Sequence, residues 1–333
     1  MAEHGGRIRA AAARYGLPPE CWVDLSTGIN PHGWPVPPVP ADTWSRLPEP
    51  DDGLIAAANT YYKTKQVLPV AGSQAAIQAI PLLRPRSHVA ILAPGYVEHE
   101  LAWRRAGHLV ELLTYDEIDC RLSQFDVLVL INPGNPSGVR FARQDLNRWH
   151  AALAERGGWL VLDEAFIDAT PQDSLASRSD QTGLIVLRSL GKFFGLAGAR
   201  VGFVLAQTHL LGRLDDLLGP WTVNGPARQL ATLALRDQDW QSRARARLRL
   251  DAQRLNMLLR DAGLPPAGGT ALFQWVVSAQ AHAISESLAR QGLLIRLFAE
   301  PCSMRFGLPS TEPDWQRLSA ALATVVKSER LAI

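Results

Sequence analysis

The sequence predicts an α/β sandwich on a mostly parallel central sheet, with a smaller α+β domain at its C-terminal end. Three observations carry this expectation. Short, nearly continuous apolar runs recur through the middle of the chain, each bounded by Gly, Pro or charge. Helical stretches separate these runs, and polar clusters follow them. From about Pro226 the rhythm changes to a long helical segment followed by shorter alternating pieces. Unbroken apolar runs suit strands covered on both faces, and their alternation with helices is the pattern of βαβ units.

Taken in order, residues 1–45 read as an arm and linker, and Pro31–Pro50 is proline-rich and irregular. Residues 46–225 form the expected large domain. Its expected helices include Ser73–Leu83 and Gln144–Glu155. Its expected strands are Val89–Ala93, Val127–Ile131, Trp159–Leu162, Leu184–Leu187 and Val201–Leu205. Residues 226–333 form the small domain, with one long helix through Arg260 and a Pro/Gly break at Gly263–Gly269. Ligands of open α/β sheets collect at the carboxyl ends of the strands. The polar clusters after Ala93, Ile131, Leu162 and Leu187 are therefore expected to converge.

Composition excludes more than it assigns. A net charge of +2 with 20% charged residues gives no reason to expect nucleic acid or a membrane surface as partner. Arg243, Arg245, Arg247 and Arg249 are spaced by two, which spreads them around a helix as a solvated face. The three cysteines, Cys21, Cys120 and Cys302, have no metal-type spacing. They point to a reducing cytoplasm and to no metal site. Met1-Ala2-Glu3-His4-Gly5-Gly6 lacks the pattern of a secretory leader, and no apolar run is long enough to span a membrane.

The segment Ser189-Leu190-Gly191-Lys192-Phe193-Phe194-Gly195 sets one lysine among apolar residues and glycines, with Arg200 eight residues on. Burial lowers a lysine pKa and frees the amine for Schiff-base chemistry. A structural lysine in a glycine turn would look the same in isolation. The sharper reading is a pyridoxal 5′-phosphate lysine, with Ser189 and Arg200 on the phosphate.

Four other motifs decide between these readings. Ala71-Gly72-Ser73-Gln74 opens a helix, where N–H groups and the helix dipole favour an anion. Tyr96 follows a strand and can stack on a planar ring. Asn132-Pro133-Gly134-Asn135-Pro136-Ser137-Gly138 is a specialised turn that can present the Asn135 amide as a donor. Asp163-Glu164 ends a buried strand, where a carboxylate needs a partner such as a pyridinium N–H. Mg²⁺ binding by an ATPase is the other reading of that pair, but the chain has no phosphate-loop motif.

In this order and spacing the series resembles the fold-type I pyridoxal-phosphate enzymes of the class I/II aminotransferase group. The resemblance implies that Gly72, Ser73 and Gln74 approach the cofactor phosphate and that Tyr96 stacks on the ring. It further implies that Asn135 bonds the 3′-oxygen, Asp163 pairs with the ring nitrogen, Lys192 is the catalytic lysine, and Ser189 and Arg200 bind phosphate. Homodimers are implied as well.

Finer features resemble the members of that group that decarboxylate O-phosphothreonine. These are His4-Gly5-Gly6, Asp24-Leu25-Ser26-Thr27-Gly28-Ile29-Asn30-Pro31, Asp163-Glu164-Ala165-Phe166-Ile167-Asp168, Pro220-Trp221-Thr222-Val223-Asn224, Leu294-Ile295-Arg296 and Met304-Arg305-Phe306-Gly307. That resemblance implies that His4, Gly5, Gly28, Asn135, Arg296 and Arg305 contact the substrate. Two guanidinium forks suit a ligand bearing both a carboxylate and a phosphate. The alternative is an aminotransferase acting on a phosphorylated substrate such as histidinol phosphate. A pyridoxal-phosphate sensing regulator is a third reading, but the short arm before Asp24 has no room for a helix-turn-helix module.

Two positions depart from the wider pattern. Phe166 stands where relatives usually have tyrosine and cannot donate a second hydrogen bond to the 3′-oxygen. Leu47 stands where a tyrosine usually reaches the partner subunit's phosphate, and it has no hydroxyl to do so.

Overall fold

The computed structural model describes residues 4–330. In chain order its strands are β1 (Val23–Asp24), β2 (Leu68–Val70), β3 (His88–Leu92), β4 (Leu109–Leu113), β5 (Val127–Ile131), β6 (Trp159–Asp163), β7 (Leu184–Ser189), β8 (Gly202–Leu205), β9 (Gly268–Thr270), β10 (Phe273–Val277), β11 (Leu293–Leu294), β12 (Arg296–Phe298) and β13 (Ser303–Gly307). The chain separates into two compact units, one of residues 33–135 and 139–243, the other of residues 4–32, 136–138 and 244–330.

The large unit is built on a seven-stranded sheet in the order β2-β8-β7-β6-β5-β3-β4. The strands from β7 through β4 pair in parallel, as the apolar runs predict. Every residue of β5 is buried, so that strand packs on both faces. Strand β8 runs antiparallel to both β7 and β2. The expected strand at Val201–Leu205 is present, but its direction has a local cause. A parallel return needs a crossover, usually a helix, and the β7–β8 connection holds only the single 3₁₀ turn Ala197–Ala199.

The sequence reading names neither edge strand. Pro69 sits inside β2, and proline is tolerated in a strand chiefly at an edge. In β4, Leu109 and Leu112 lie exposed, so the strand lacks the continuous burial that marks the others.

Helix boundaries differ for identifiable reasons. The helix Ser73–Ala79 passes into a 3₁₀ turn, Ile80–Leu83, whose second residue is Pro81. The helix Arg143–Ala154 lies one residue before its expected place. The expected single helix after Pro226 is two helices, Gly225–Arg236 and Gln238–Asp261, joined at Asp237. Asp237 accepts the Trp240 N–H through Oδ1 at 2.9 Å, as a helix N-cap does.

The compact units also depart from the expected divisions at 45 and 225. The N-terminal segment belongs with the small unit because β1 pairs in parallel with β11. Trp34 belongs with the large unit, since its N–H bonds Phe194 O at 2.8 Å and its indole Nε1 bonds Asp237 at 3.0 Å. The helix Gly225–Arg236 is likewise tied to the large unit, where Arg228 forks onto Asp52. The small unit carries the antiparallel sheet β12-β13-β10-β9.

Leu162, one residue before the end of β6, has no exposed surface. Leu162→Ala is expected to destabilise the protein by about 2–5 kcal/mol, read as a lower urea midpoint at constant m-value.

Candidate active site

The carboxyl ends of β6 and β7 present the large unit's polar residues. Asp163 is buried at the end of β6. Its Oδ1 accepts the Ala165 N–H at 3.0 Å, and its Oδ2 lies 3.0 Å from Nε2 of buried His99. An ionised carboxylate only accepts, so that ring nitrogen carries the proton. His99 belongs to the helix Val97–Arg105, and its N–H bonds Tyr96 O at 3.1 Å. The Tyr96 and His99 rings meet edge to face at 6.3 Å.

The Tyr96 hydroxyl donates to Gln74 Oε1 at 3.1 Å, and Gln74 Nε2 donates to Glu98 at 3.2 Å. The Gln74 side chain therefore braces Tyr96, which leaves its backbone N–H to serve an anion. The N–H groups of Ser73 and Gln74 lie in the first turn of the helix Ser73–Ala79, where no earlier helical carbonyl can take them. Gly72 precedes that turn with φ +74°, and its N–H is bonded to Val70 O at 2.7 Å. A side chain there would meet Arg200, because a Cβ would lie 2.6 Å from the guanidinium. Arg200 itself adopts the left-handed conformation at φ 55°. One anion-directed cradle is thus assembled from a helix N-terminus and a guanidinium.

Ser189 ends β7, and its Oγ accepts the Gly191 N–H at 3.2 Å. Lys192 is half-buried rather than fully enclosed, with Nζ 5.4 Å from the centre of the Phe166 ring. The residue is therefore less enclosed than the expected buried amine. Asn135 is also half-buried, and the turn it occupies closes through Gly134 N–H to Val139 O at 2.8 Å.

The small unit holds the remaining expected residues. Arg296 and Arg305 face each other directly across the β12–β13 pair. Arg305 is buried, donates to Ser26 O at 2.6 Å and lies over the Phe273 ring at 5.1 Å. The guanidinium of Arg296 lies over the Phe298 ring at 5.2 Å. Burial, followed by the charge of Arg296, pushes the Arg305 pKa down to about 10, so the group stays cationic at neutral pH. Like charges placed directly across a strand pair repel, and an anion between them relieves that cost.

Ser26 also anchors the N-terminal arm. Its Oγ accepts the Gly6 N–H at 2.8 Å, and a Cβ on Gly5 would lie 2.4 Å from Ser26 O. Gly28 has φ +64°, a conformation that favours glycine, and His4 is exposed. The structure thus groups Gly5 and Arg305 around one residue, Ser26.

The sequence reading did not single out His99, although it lies three residues after Tyr96 on the same helical face. It also passed over Arg188, a charge at the end of an apolar run, whose partners are Glu164 and Asp168.

This donor set fits pyridoxal 5′-phosphate. The cradle that excludes a side chain at Gly72 offers N–H groups and a guanidinium to a phosphate. The buried Asp163, oriented by His99, offers a carboxylate to a protonated ring nitrogen. Lys192 offers an amine to an aldehyde.

The family model for aminotransferase class I and II matches residues 51–332. Threonine-phosphate decarboxylase of Pseudomonas aeruginosa is 55% identical over 322 residues, which cover 97% of each chain. The enzyme of that name from a Sinorhizobium species is 43% identical over 328 residues, covering 96% of this chain and 97% of the other. Among solved structures, histidinol-phosphate aminotransferase from Sinorhizobium meliloti in complex with pyridoxal-5′-phosphate superposes with a TM-score of 0.82. Its identity is 22%, over 96% of this chain and 94% of that one, a likeness of fold. The chain belongs to the aminotransferase class I and II family.

Proposed function

We propose that the chain is a pyridoxal-phosphate-dependent decarboxylase that converts O-phospho-L-threonine into (R)-1-aminopropan-2-yl phosphate and CO₂, a step of cobalamin biosynthesis. The observation that carries this reading is near-full-length identity of 55% to a threonine-phosphate decarboxylase. The facing pair Arg296 and Arg305 suits a substrate with two anionic groups.

Bound at this site, pyridoxal phosphate supplies an electron sink for the pair left at Cα when the carboxylate departs. The residues would hold it as follows. Ser73 and Gln74 N–H groups, Ser189 and Arg200 bind the phosphate. Gly72 keeps the cradle free of a side chain. Tyr96 covers the ring face, Asn135 donates to the 3′-oxygen, and Lys192 Nζ bonds the aldehyde carbon. Asp163 keeps the proton on the ring nitrogen, and His99 fixes the carboxylate that does so.

On the substrate, Arg296 and Arg305 would bind the carboxylate and phosphate and so select which Cα bond breaks. His4, Gly5 and Gly28 line the substrate from the N-terminal segment. Lys192 Nζ, freed when the substrate amine takes its place on the aldehyde carbon, would deliver one proton to Cα once CO₂ has left. A cytoplasmic setting suits the free thiols of Cys21, Cys120 and Cys302. Among the described residues no helix is long and apolar enough to cross a membrane.

A homodimer is part of the same proposal. On the large unit, Trp44, Leu47 and Leu233 are exposed, and a cavity of about 300 Å³ lies among Leu47, Pro48, Gln229 and Leu233. Exposed apolar surface of this kind suits a second copy of the chain.

Three outcomes test the reading. With O-phosphothreonine and no keto-acid acceptor, mass spectrometry should find the phosphorylated amino alcohol, and Lys192→Ala should abolish both that product and the cofactor's visible band. A product formed only with a keto acid would indicate transamination instead. With pyridoxal phosphate filling the Arg200 cradle, inorganic phosphate at about ten times its dissociation constant should stabilise the protein by about 1.4 kcal/mol. Arg305→Met should remove that gain in calorimetry. The double variant Leu47→Glu/Leu233→Glu should sediment as a monomer, and a parent that is itself monomeric would refute the dimer.

A further inference from the structure

Arg188 is a charge buried in the central sheet, with its side chain only 2% exposed. The guanidinium bonds Glu164 Oε2 at 3.2 Å, Ser174 Oγ at 3.1 Å and Asp168 Oδ1. It also lies over the Tyr62 ring at 4.5 Å. Glu164 and Asp168 are both fully buried, so one cation faces two carboxylates. Burial raises the Glu164 pKa, with Arg188 pulling it the other way. A buried ionic cluster is weak evidence for stability, because apolar residues of similar volume often serve the fold as well.

Strand alternation shows what the cluster does. Asp163 pairs with Leu187 across β6 and β7, so Asp163, Leu187 and Ser189 share one face of the sheet. Arg188 projects from the opposite face and meets Glu164 and Asp168 there. The six residues from Asp163 to Asp168 are therefore pinned at positions 164 and 168 to one guanidinium. The same segment presents Asp163 to His99 and Phe166 to Lys192 Nζ.

A second line of contact leads from the cluster to the lysine loop. Tyr61 donates to Asp168 Oδ1 at 2.9 Å, and its ring meets Phe194 edge-on at 5.6 Å. Phe194, two residues after Lys192, stacks on Trp240 at 5.5 Å. Arg188 also directly precedes Ser189 in β7.

We infer that Arg188 is a positioning residue: by holding Glu164 and Asp168 from the far face of the sheet, it fixes Asp163, Phe166 and Lys192 in one geometry. The inference rests on the reading above that Asp163 and Lys192 hold the cofactor.

The test replaces the cluster without leaving a lone buried charge. Arg188→Met/Glu164→Gln/Asp168→Asn removes all three charges, and Asp168→Asn alone keeps the Arg188–Glu164 pair as a second variant should the first not fold. Measured on each are the cofactor-free melting temperature, the dissociation constant of pyridoxal phosphate, the visible circular dichroism of the bound cofactor, and kcat and KM. The expected result is a folded protein with weakened visible dichroism and kcat lowered by about tenfold or more, while KM stays within about twofold, because misplacement of reacting groups acts on the chemical step. Arg188→Lys, which keeps the charge without the fork, should fall between the triple variant and the parent. Parent-like dichroism and kcat in a folded variant would overturn the inference and leave the cluster as a stabilising element only. Lys192→Ala separates the two readings: if it keeps the visible band, the cofactor assignment fails; if it loses the band while the folded cluster variants keep parent-like dichroism and kcat, only the role of Arg188 fails.

Discussion

A sheet covered on both faces has almost no place for charge along its strands, and the architecture follows from that constraint. Strands β5 and β7 are buried from end to end, and β6 is buried from Leu160 onward. Polar side chains therefore gather where these strands stop, and the ladder continues just far enough to order them. Asn132 N–H bonds Asp163 O at 2.9 Å, and Glu164 N–H bonds Leu187 O at 2.9 Å. The first residues beyond the strands thus inherit the sheet's alternation. One side of that alternation carries Asp163 and Ser189, and the other carries Glu164 and Arg188. A single geometric rule separates the residues proposed to address a ligand from those proposed to hold them in place.

Much of this was legible in the sequence, and the limits have physical causes. The inner strands were readable because double-sided burial writes itself as unbroken Val, Leu and Ile. Strand β8 was readable in position but not in direction, since direction depends on whether the preceding connection can hold a crossover helix. The edge strands β2 and β4 were not readable, because an edge relaxes the composition that marks a strand. The divide between the units was misplaced for a related reason. It depends on pairing between β1 and β11, which are far apart in sequence and only two residues each.

The site shows the same division. Lys192, Asp163 and Ser189 are proposed as site residues from local motifs, each beside a glycine or at a strand end, and Arg200 from its place eight residues after the lysine. His99 could not, because its importance comes from meeting Asp163 across the fold, and a lone histidine on a helix has no signature. Arg188 was masked by the apolar run it terminates. Lys192 is less enclosed than its apolar neighbours suggested, since Phe193 and Phe194 turn inward and are buried while the lysine is only partly so. Motifs mark the groups proposed to touch a ligand; their partners across the fold are found by distance alone.

The contact between Gly72 and Arg200 has a consequence for how such a sequence can diverge. Space at position 72 exists only because its side chain is a hydrogen, and the guanidinium of Arg200 fills what remains. Neither position can drift by small steps. An enlarged residue 72 would be strained at φ +74° and push the arginine's flexible end aside, and a shortened residue 200 would remove the charge without giving residue 72 a tolerable backbone angle. Two sites far apart along the chain therefore form one heritable character, lost or kept together.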